Sequence, residues 1–296
     1  MDNFNNSTVL YFNGEFIRTE DVKIDAYGQS LHYGFGAFEG IRAYNTRNGV
    51  RIFKAEEHYE RLKRSCELVN IPYTWDNKEL ITQTYRLLEI NNLKNAYIRP
   101  MVLCGPNMAL TKPAYVTVMI CAWEWSAYLG EKLLRMCTSS YQRPNPLSIK
   151  SEAKITGYYV SSILAATEAK EKGYDEALLL DINNNIAEAP AANFFLEKYG
   201  CLYTPSLGNI LPGITRETII ELCNIFEIEV YEEHLTSNDI KTADSAFLCG
   251  TAVEIIGVKS VDDVVFPLDW SDSLGSTLQR AYKNLVLEKE NYEIII

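Results

Sequence analysis

Strand-like and helix-like segments follow one another irregularly along this chain, and this mixture limits the folds open to it. Two apolar runs flank Asn13-Gly14 between residues 9 and 17, a strong hairpin signal. Amphipathic patterns predict helices over 56–69 and 77–89. Runs of β-branched, aromatic and apolar residues predict strands over 37–44, 51–53, 96–104 and 115–122. Because strands and helices do not strictly alternate, the pattern predicts an α+β fold rather than a doubly wound sheet.

A short aromatic, turn-like segment, 123–132, divides these elements from those that follow. We interpret it as the loop between two domains, an N-terminal α/β domain over 1–122 and a C-terminal domain over 133–296. Beyond the loop, helices are predicted over 154–170 and 215–226. The strands predicted in this part are 133–138, 176–181, 193–196, 245–248 and 254–258.

The composition argues against several classes of function. The 296 residues suffice for two ordinary domains, and a formal net charge of -11 disfavours nucleic acid and anionic membrane surfaces as partners. No apolar run approaches the length of a bilayer span, and the first residues lack the basic and apolar regions of a signal peptide. Seven scattered cysteines and three histidines disfavour a disulfide frame and a metal site. We therefore expect a cytoplasmic protein without a metal ion or a membrane partner.

Lys154 is the first candidate for chemistry. It lies in the run SEAKITGYY, residues 151–159, at the predicted start of an apolar helix. Desolvation and a helix N-terminus both favour a neutral amine over an ammonium group, and a neutral amine can act as a nucleophile. A lysine considered alone is more often an exposed side chain, so this interpretation depends on the motifs that accompany it.

Two later motifs supply groups that complement such an amine. Glu188 precedes Asn193 by five residues, just before a predicted strand; considered alone, it would be interpreted as a solvated loop acid. The run Gly213-Ile214-Thr215-Arg216 opens a predicted helix, and the backbone N–H groups of a helix start can bind an anion. An ordinary helix start capped by Thr215 is the alternative interpretation of that run.

These motifs occur in a fixed order with three others, Phe38-Glu39-Gly40-Ile41-Arg42-Ala43-Tyr44, Tyr97-Ile98-Arg99-Pro100 and Cys249-Gly250-Thr251-Ala252. In this order, from about residue 9 to residue 260, the chain resembles the fold-type IV pyridoxal-phosphate enzymes, the class IV aminotransferases. Within that class it resembles the branched-chain amino acid aminotransferases. The resemblance implies a two-domain fold in which the larger C-terminal domain binds the cofactor, pyridoxal 5'-phosphate.

The resemblance also implies a role for each cofactor-binding residue. Lys154 forms the Schiff base with pyridoxal phosphate, and Tyr159 lies near the phenolic oxygen of the cofactor. Glu188 keeps the pyridine nitrogen protonated, so that the ring can accept electrons. The phosphate ligands implied by the resemblance are Arg61, Ile214, Thr215 and Thr251.

The substrate-binding residues are likewise implied by the resemblance. Tyr97 holds the substrate α-carboxylate together with backbone groups near Thr251 and Ala252, and Arg99 meets the side-chain carboxylate of glutamate. The resemblance also places Gly40 and Arg42, which follow Phe38 in the same motif, among the substrate-binding residues. The apolar wall for leucine, isoleucine and valine consists of Phe38, Tyr33, Trp125, Tyr128 and Tyr159. Two residues depart from the family pattern, Pro190 and Ala192, and they leave the substrate contacts of their loop open.

The reaction implied is a ping-pong transfer of an amino group between L-branched-chain amino acids and 2-oxoglutarate. The alternatives within the class are a D-amino acid transaminase, an (R)-amine transaminase and an aminodeoxychorismate lyase. An alternative outside enzymology is a catalytically silent binding protein on the same scaffold. The family also implies a homodimer or higher homo-oligomer with sites near the subunit interface, where the segment around Met108 and Tyr33 reaches a neighbouring site.

Overall fold

The computed structural model describes residues 8–125, 129 and 132–289. The strands of this part are β1 (Val9–Phe12), β2 (Glu15–Arg18), β3 (Gly36–Phe38), β4 (Ile41–Thr46), β5 (Gly49–Ile52), β6 (Ala96–Cys104), β7 (Val116–Glu124), β8 (Leu134–Gln142), β9 (Glu176–Leu180), β10 (Ile186–Ala189), β11 (Ala192–Lys198), β12 (Cys201–Pro205), β13 (Val230–Glu233), β14 (Ser245–Gly250), β15 (Glu254–Val261) and β16 (Val264–Val265). Its helices are α1 (Gln29–Tyr33), α2 (Ala55–Leu68), α3 (Asn77–Ile90), α4 (Tyr159–Glu171), α5 (Ile214–Ile225), α6 (Ser237–Thr242) and α7 (Leu274–Val286). None of the helices in the described ranges is both long enough and apolar enough to span a bilayer.

These elements fall into two compact units. The first unit contains the described residues up to Trp125 together with Ala153–Tyr158, and the second unit contains the remaining described residues. The short segment Ala153–Tyr158 therefore belongs to the first unit although it follows the start of the second along the chain. The domain limits at 122 and 133 stay a prediction, because residues 126–128 and 130–131 of the expected interdomain loop lie outside the described part.

An antiparallel sheet forms the frame of the first unit. Its strand order is β2-β1-β7-β6-β4-β5, and β3 pairs with β6. The predicted hairpin joins β1 to β2, and both Asn13 (φ 49°) and Gly14 (φ 105°) adopt the positive φ that such a turn requires. Helices α2 and α3 contribute fully buried Tyr59, Leu62 and Leu87 to the core of this unit. Each such side chain stabilises the fold by roughly 1.5–3 kcal/mol through burial.

The second unit is built on a sheet that closes on itself. The strands follow the order β10-β9-β8-β15-β14-β11, and pairing of β10 with β11 completes a ring of six. Strands β12 and β13 extend the sheet from β11, while β16 pairs with β15. Helix α4 packs against β8 and β9, and α5 and α7 pack against β14. Closure leaves the six ring strands without an unpaired edge.

Most of the predicted elements are confirmed to within a few residues, but three expectations were wrong. The strand expected over 37–44 is divided into β3 and β4, and Glu39-Gly40 forms the connection. Strand β7 continues to Glu124, into the segment that we expected to be turn-like. The helix expected to begin at Lys154 begins at Tyr159 instead, after a 3-10 turn over Thr156–Tyr158.

The late start of α4 has a tertiary cause. The Gly157 N–H donates to the Gly34 carbonyl at 2.8 Å, and the Thr156 hydroxyl donates to the same carbonyl. Ile155 pairs with Ala37 in an isolated bridge. A Cβ on Gly34 would lie 2.9 Å from the Gly157 Cα, so the two backbones approach at a distance that only glycine permits. These contacts keep the residues before Tyr159 out of the α-helix, and Lys154 does not lie at the N-terminus of α4.

Candidate active site

Lys154 is fixed in the first unit through its backbone. Its N–H donates to the Ser65 hydroxyl on α2 at 3.0 Å, and its carbonyl accepts from the Phe38 N–H at 3.1 Å. Its Nζ lies 4.9 Å from the centroid of the Phe38 ring. The backbone bonds therefore fix where the lysine side chain starts, and the ring lies beside its amine.

Arg99 lies against the same phenyl ring. Its Cζ is 4.8 Å from the Phe38 centroid and 5.3 Å from the Tyr97 centroid, within the range of cation–π attraction. Its Nη2 donates to the Tyr97 hydroxyl at 3.3 Å, whereas its buried Nε has no hydrogen-bond partner. Within the described ranges, no carboxylate forms an ion pair with this guanidinium, so it is a cation suited to an incoming anion.

Tyr97 is the centre of an aromatic stack. Its ring lies 5.0 Å from that of Trp125 and 5.3 Å from that of Trp123, measured between centroids. A Cβ on Gly40 would lie 2.0 Å from the Tyr97 hydroxyl, so Gly40 is the residue that makes room for this phenol. Arg42 pairs directly with Tyr97 across β4 and β6, which places their side chains on one face of the sheet.

Two predicted wall residues are not brought to this cluster by the contacts described. Tyr33, at the end of α1, is 43% exposed and donates to the Met108 carbonyl at 3.3 Å. Tyr159 is the first residue of α4 and is half-buried in the second unit. Tyr128 lies outside the described residues.

A fully buried carboxylate, Glu39, holds the predicted phosphate ligand Arg61. The Arg61 Nε donates to Glu39 Oε1 at 2.6 Å, and its Nη2 donates to Oε2 at 2.9 Å. Oε2 also accepts from His58 Nδ1 at 2.8 Å and from the Gly40 N–H at 3.2 Å. Burial raises the pKa of the Glu39 carboxyl, but Arg61 and the His58 hydrogen bond outweigh burial and hold that pKa well below its usual range. Burial lowers the pKa of His58, so the ring is neutral and donates from Nδ1.

The predicted pyridine partner, Glu188, is buried in the second unit. It lies on β10 opposite Asn193 of β11, whose Nδ2 donates to Glu188 Oε2 at 3.1 Å. The Leu211 N–H donates to Oε1 at 3.2 Å. Arg143 Nε lies 3.0 Å from Oε1 as an ion pair, although its direction is not that of a hydrogen bond. Glu188 is therefore a buried acid with a permanent cation beside it, not the solvated loop acid that it would resemble alone.

The two departures from the family pattern flank a tight hairpin turn. Pro190 and Ala191 form the turn between β10 and β11, and Ala192 pairs with Ala189. Neither residue has a positive φ, and the fixed negative φ of proline fits the first central position of a type I turn, where no ladder hydrogen bond is lost. Pro190 is thus compatible with the strand pairing that positions Glu188.

The N-terminus of α5 carries the predicted phosphate ligands of the second unit. Gly213 is the N-cap residue and makes no side-chain cap, while Ile214 and Thr215 form the first turn and are buried. A Cβ on Gly213 would lie 2.0 Å from Asn193 Oδ1. Backbone N–H groups at such an uncapped start are suited to bind an anion. Arg216 anchors the turn to β12 and β13 through the Pro205 carbonyl at 3.1 Å and Glu232 at 2.6 Å.

Thr251 and Ala252 lie in the turn that joins β14 to β15. Both are half-buried, and Gly250 pairs with Glu254 at the base of the turn. Gly250 precedes them where a Cβ would lie 3.2 Å from the Ala191 carbonyl, next to the β10–β11 turn. The second unit therefore brings Thr251 and Ala252 close to the end of the hairpin that carries Glu188.

Four charged or titratable residues of these clusters were not predicted as site residues, namely Glu39, His58, Arg143 and Arg216. His58 and Arg61 are three positions apart on α2 and so share a helix face, a spacing that could have linked them. Glu39 stands out in the sequence only as part of a motif. Arg143 follows β8 in an irregular segment and has no local signal; only its contact with Glu188 reveals it.

Residues 36–261 match the profile of the family described as Amino-transferase class IV, and the chain belongs to this family. Among its relatives, the branched-chain-amino-acid aminotransferase of Escherichia coli (strain K12) is 40% identical over 263 residues, which cover 86% of this chain and 85% of that protein. The crystal structure of a branched-chain aminotransferase from Thermoproteus uzoniensis with norvaline has a TM-score of 0.92 and 33% identity, covering 96% of both chains. The branched-chain amino acid aminotransferase from Thermobaculum terrenum, in its PLP-form (holo-form), has a TM-score of 0.90 and 28% identity, covering 96% of this chain and 95% of that one. The predicted family and α+β fold are thereby confirmed.

We expect Gly213→Ala to destabilise the second unit, because the new Cβ would collide with the Asn193 amide that holds Glu188. Overpacking of this kind costs roughly 1–3 kcal/mol. The measurement is the thermal unfolding midpoint. In an Asn193→Ala background the collision is absent, so the same substitution should cost much less. An equal cost in both backgrounds would contradict this explanation of the glycine.

Proposed function

We propose that this chain transfers amino groups between L-branched-chain amino acids (leucine, isoleucine and valine) and 2-oxoglutarate, with pyridoxal 5'-phosphate as its cofactor. The observation that carries the proposal is that an amine and a guanidinium lie against one phenyl ring. Lys154 Nζ and the Arg99 guanidinium lie 4.9 and 4.8 Å from the Phe38 centroid. An amine that can react at an α-carbon therefore has beside it a cation for a distal carboxylate, and the rings around that cation suit an apolar side chain.

The residues present fit the chemistry of the cofactor. Pyridoxal phosphate needs an amine, an acid for its pyridine nitrogen and a cationic or N–H-lined cup for its phosphate, and when bound it supplies an electron sink for the substrate α-carbon. The first unit offers Lys154 and Arg61. The second unit offers the buried Glu188 and the uncapped start of α5. The Thermobaculum terrenum relative, whose structure is that of a PLP-form, supports this assignment.

Each group then has a definite task. Lys154 Nζ would hold the cofactor covalently and, once displaced by the substrate amine, would carry the proton from the substrate α-carbon to the C4′ carbon of the cofactor, first as a general base and then as a general acid. Glu188 holds a proton on the pyridine nitrogen, and Arg143 beside it favours the ionised carboxylate that this task requires. We place Tyr159 near the phenolic oxygen of the cofactor. The phosphate ligands that we propose are Arg61, Ile214, Thr215 and Thr251.

Substrate recognition combines polar and apolar contacts. We assign the substrate α-carboxylate to Tyr97, with backbone groups at Ala252, and the distal carboxylate of glutamate to Arg99. Phe38 and Trp125 supply apolar surface for branched side chains. Gly40 and Arg42 act on this side through Tyr97, the first by leaving it room and the second by lying beside it. The E. coli and Thermoproteus uzoniensis relatives, both named as branched-chain aminotransferases, support this substrate class.

Lys154→Ala should abolish transamination and leave the fold intact, because no other amine of the first unit is held beside Phe38 in the described contacts. The assay measures 2-oxoglutarate-dependent turnover of L-leucine and, separately, of D-alanine. Lys150→Ala, an exposed lysine four residues earlier, is the matched control and should keep full activity. Turnover of L-leucine by Lys154→Ala at near the wild-type rate would remove this lysine from the mechanism. Wild-type turnover of D-alanine alone would favour the D-amino acid transaminases, and no turnover of either would favour a silent protein.

Arg99→Met should impair the half-reaction with glutamate and largely spare that with leucine. Without the guanidinium, the distal carboxylate of glutamate is buried without a partner, at a cost of roughly 3–5 kcal/mol, or about two to four orders of magnitude in binding. Leucine brings no carboxylate, and methionine keeps the surface apolar. Single-turnover rates with each substrate measure the effect, and Arg64→Met on the exposed side of α2 is the control. Equal losses for leucine and glutamate would instead assign Arg99 a structural role.

We also propose that the chain forms a homodimer or a higher homo-oligomer. An apolar surface on α1 and the segment after β6 supports this, and its exposed members are Tyr27, Leu31, Met108, Leu110 and Tyr115, each between 53% and 85% exposed. Gln29 Nε2 joins the two segments through the Ala109 carbonyl at 3.0 Å. Exposed patches of this kind mark sites of association. Light scattering should give at least twice the mass of the chain, and a monomer at micromolar concentration would contradict the proposal. A cytoplasmic location remains a proposal that rests on the sequence argument.

A further inference from the structure

We propose that Glu39 is a positioning residue for the cofactor phosphate, acting through the guanidinium of Arg61. The inference rests on the proposed function, because it takes Arg61 to bind the phosphate of pyridoxal phosphate. Glu39 would touch neither substrate nor cofactor. Its effect is on where the cation of Arg61 lies and on how firmly it is held there.

The first support is the geometry of the pair. Arg61 meets Glu39 side-on, with Nε and Nη2 each donating to a different carboxylate oxygen, at 2.6 and 2.9 Å. A guanidinium is planar, so two parallel bonds fix its plane as well as its position. The Arg61 side chain is 12% exposed, whereas that of Glu39 is 0% exposed. The fully buried carboxylate thus holds the guanidinium of Arg61, whose side chain is still partly exposed.

The second support is that the anchor itself is held from several directions. The Glu39 carboxylate also accepts from His58 Nδ1 and from the Gly40 N–H, and the Glu39 backbone N–H donates to the Pro100 carbonyl at 2.8 Å. Burial lowers the pKa of His58 and keeps the ring neutral, so it adds a directed bond without adding a second cation. These hydrogen bonds fix the position of the Glu39 carboxylate, and the carboxylate in turn fixes the position of the Arg61 guanidinium.

The third support is the place of Glu39 in the chain. It follows Phe38, whose N–H donates to the Lys154 carbonyl and whose ring lies beside the lysine amine. The tripeptide Phe38–Gly40 therefore contacts the backbone of Lys154, the guanidinium of Arg61 and the hydroxyl-bearing ring of Tyr97. An anchor at this point ties the phosphate ligand to the same short segment that positions the reacting amine.

The alternative is that the Glu39–Arg61 pair only stabilises the fold. Two probes separate these roles, pyridoxamine 5'-phosphate and pyridoxamine, which differ only by the phosphate and form no covalent bond with Lys154. Calorimetric titration of the full chain without cofactor gives a Kd for each, and the ratio of the two is its phosphate preference. A fold defect weakens both ligands, whereas misplacement of Arg61 weakens only the phosphorylated one.

In Glu39→Gln we expect the phosphate preference to fall roughly ten- to hundredfold, the range for hydrogen bonds to charged groups, with the Kd of pyridoxamine unchanged. In an Arg61→Met background the same substitution should leave the remaining preference unchanged, because the two residues act as one unit. Glu57→Gln removes a charge from an exposed position of α2 and should have no effect. An unchanged preference in Glu39→Gln, or an equal loss for both ligands, would overturn the proposal.

Glu39→Asp covers the case in which Glu39→Gln does not fold. It keeps the buried charge, and therefore the ion pair needed for folding, but its carboxylate is one methylene shorter and cannot meet both nitrogens in the same plane. We expect a reduced phosphate preference with pyridoxamine binding intact, and an unchanged preference would refute the positioning role. Failure of the cofactor assignment on which the inference rests looks different, because the wild-type chain would then bind neither pyridoxamine 5'-phosphate nor pyridoxamine.

Discussion

A carboxylate that is completely removed from water must be compensated, and in the first unit this requirement belongs to Glu39. Leaving such a charge unpaired in the interior costs several kcal/mol, so the fold must bring a cation to it. The cation comes from α2, whose Arg61 and His58 reach the carboxylate from one helix face. Because α2 also supplies the Ser65 hydroxyl to the Lys154 backbone, the same docking of α2 on the sheet fixes the backbone of Lys154. The ion pair and the placement of Lys154 are therefore consequences of one packing arrangement.

The buried acid of the second unit is held differently, and the difference suits its proposed task. Glu188 receives hydrogen bonds from Asn193 and from the Leu211 N–H, while Arg143 contributes charge at 3.0 Å without a directed bond. A nearby cation favours the ionised form of a buried acid. An acid that must keep a proton on a ring nitrogen has to remain an anion itself. The charge of Arg143 favours the anion, and the hydrogen bonds from Asn193 and the Leu211 N–H fix the position of the carboxylate.

How much could be predicted from the sequence depends on how local each cause is. The hairpin at Asn13-Gly14 was predictable because positive φ is a property of those two residues. The start of α4 was not, since the local pattern around Lys154 is compatible with an α-helix, and the contact with Gly34, far away along the chain, is what delays the start of α4 to Tyr159. The same holds for the site. The motifs predicted candidate site residues, but the ion-pair partner of Glu188, Arg143, depends on how two distant segments meet.

The first unit contains two arginines with different surroundings, one paired with a carboxylate and one surrounded by aromatic rings. This contrast bears on how one site could accept both apolar side chains and glutamate. Arg61 is paired with the buried carboxylate of Glu39, whereas Arg99 is surrounded by the faces of Phe38, Tyr97 and Trp123 and by no carboxylate within the described ranges. Aromatic faces stabilise a guanidinium only partly, by about 0.5–2 kcal/mol. That is enough to reduce the cost of leaving the cation unpaired when an apolar side chain is bound, yet weak enough that a carboxylate can still pair with it. In the proposed function, the rings that would provide an apolar surface for leucine are thus the same groups that would keep Arg99 available for glutamate.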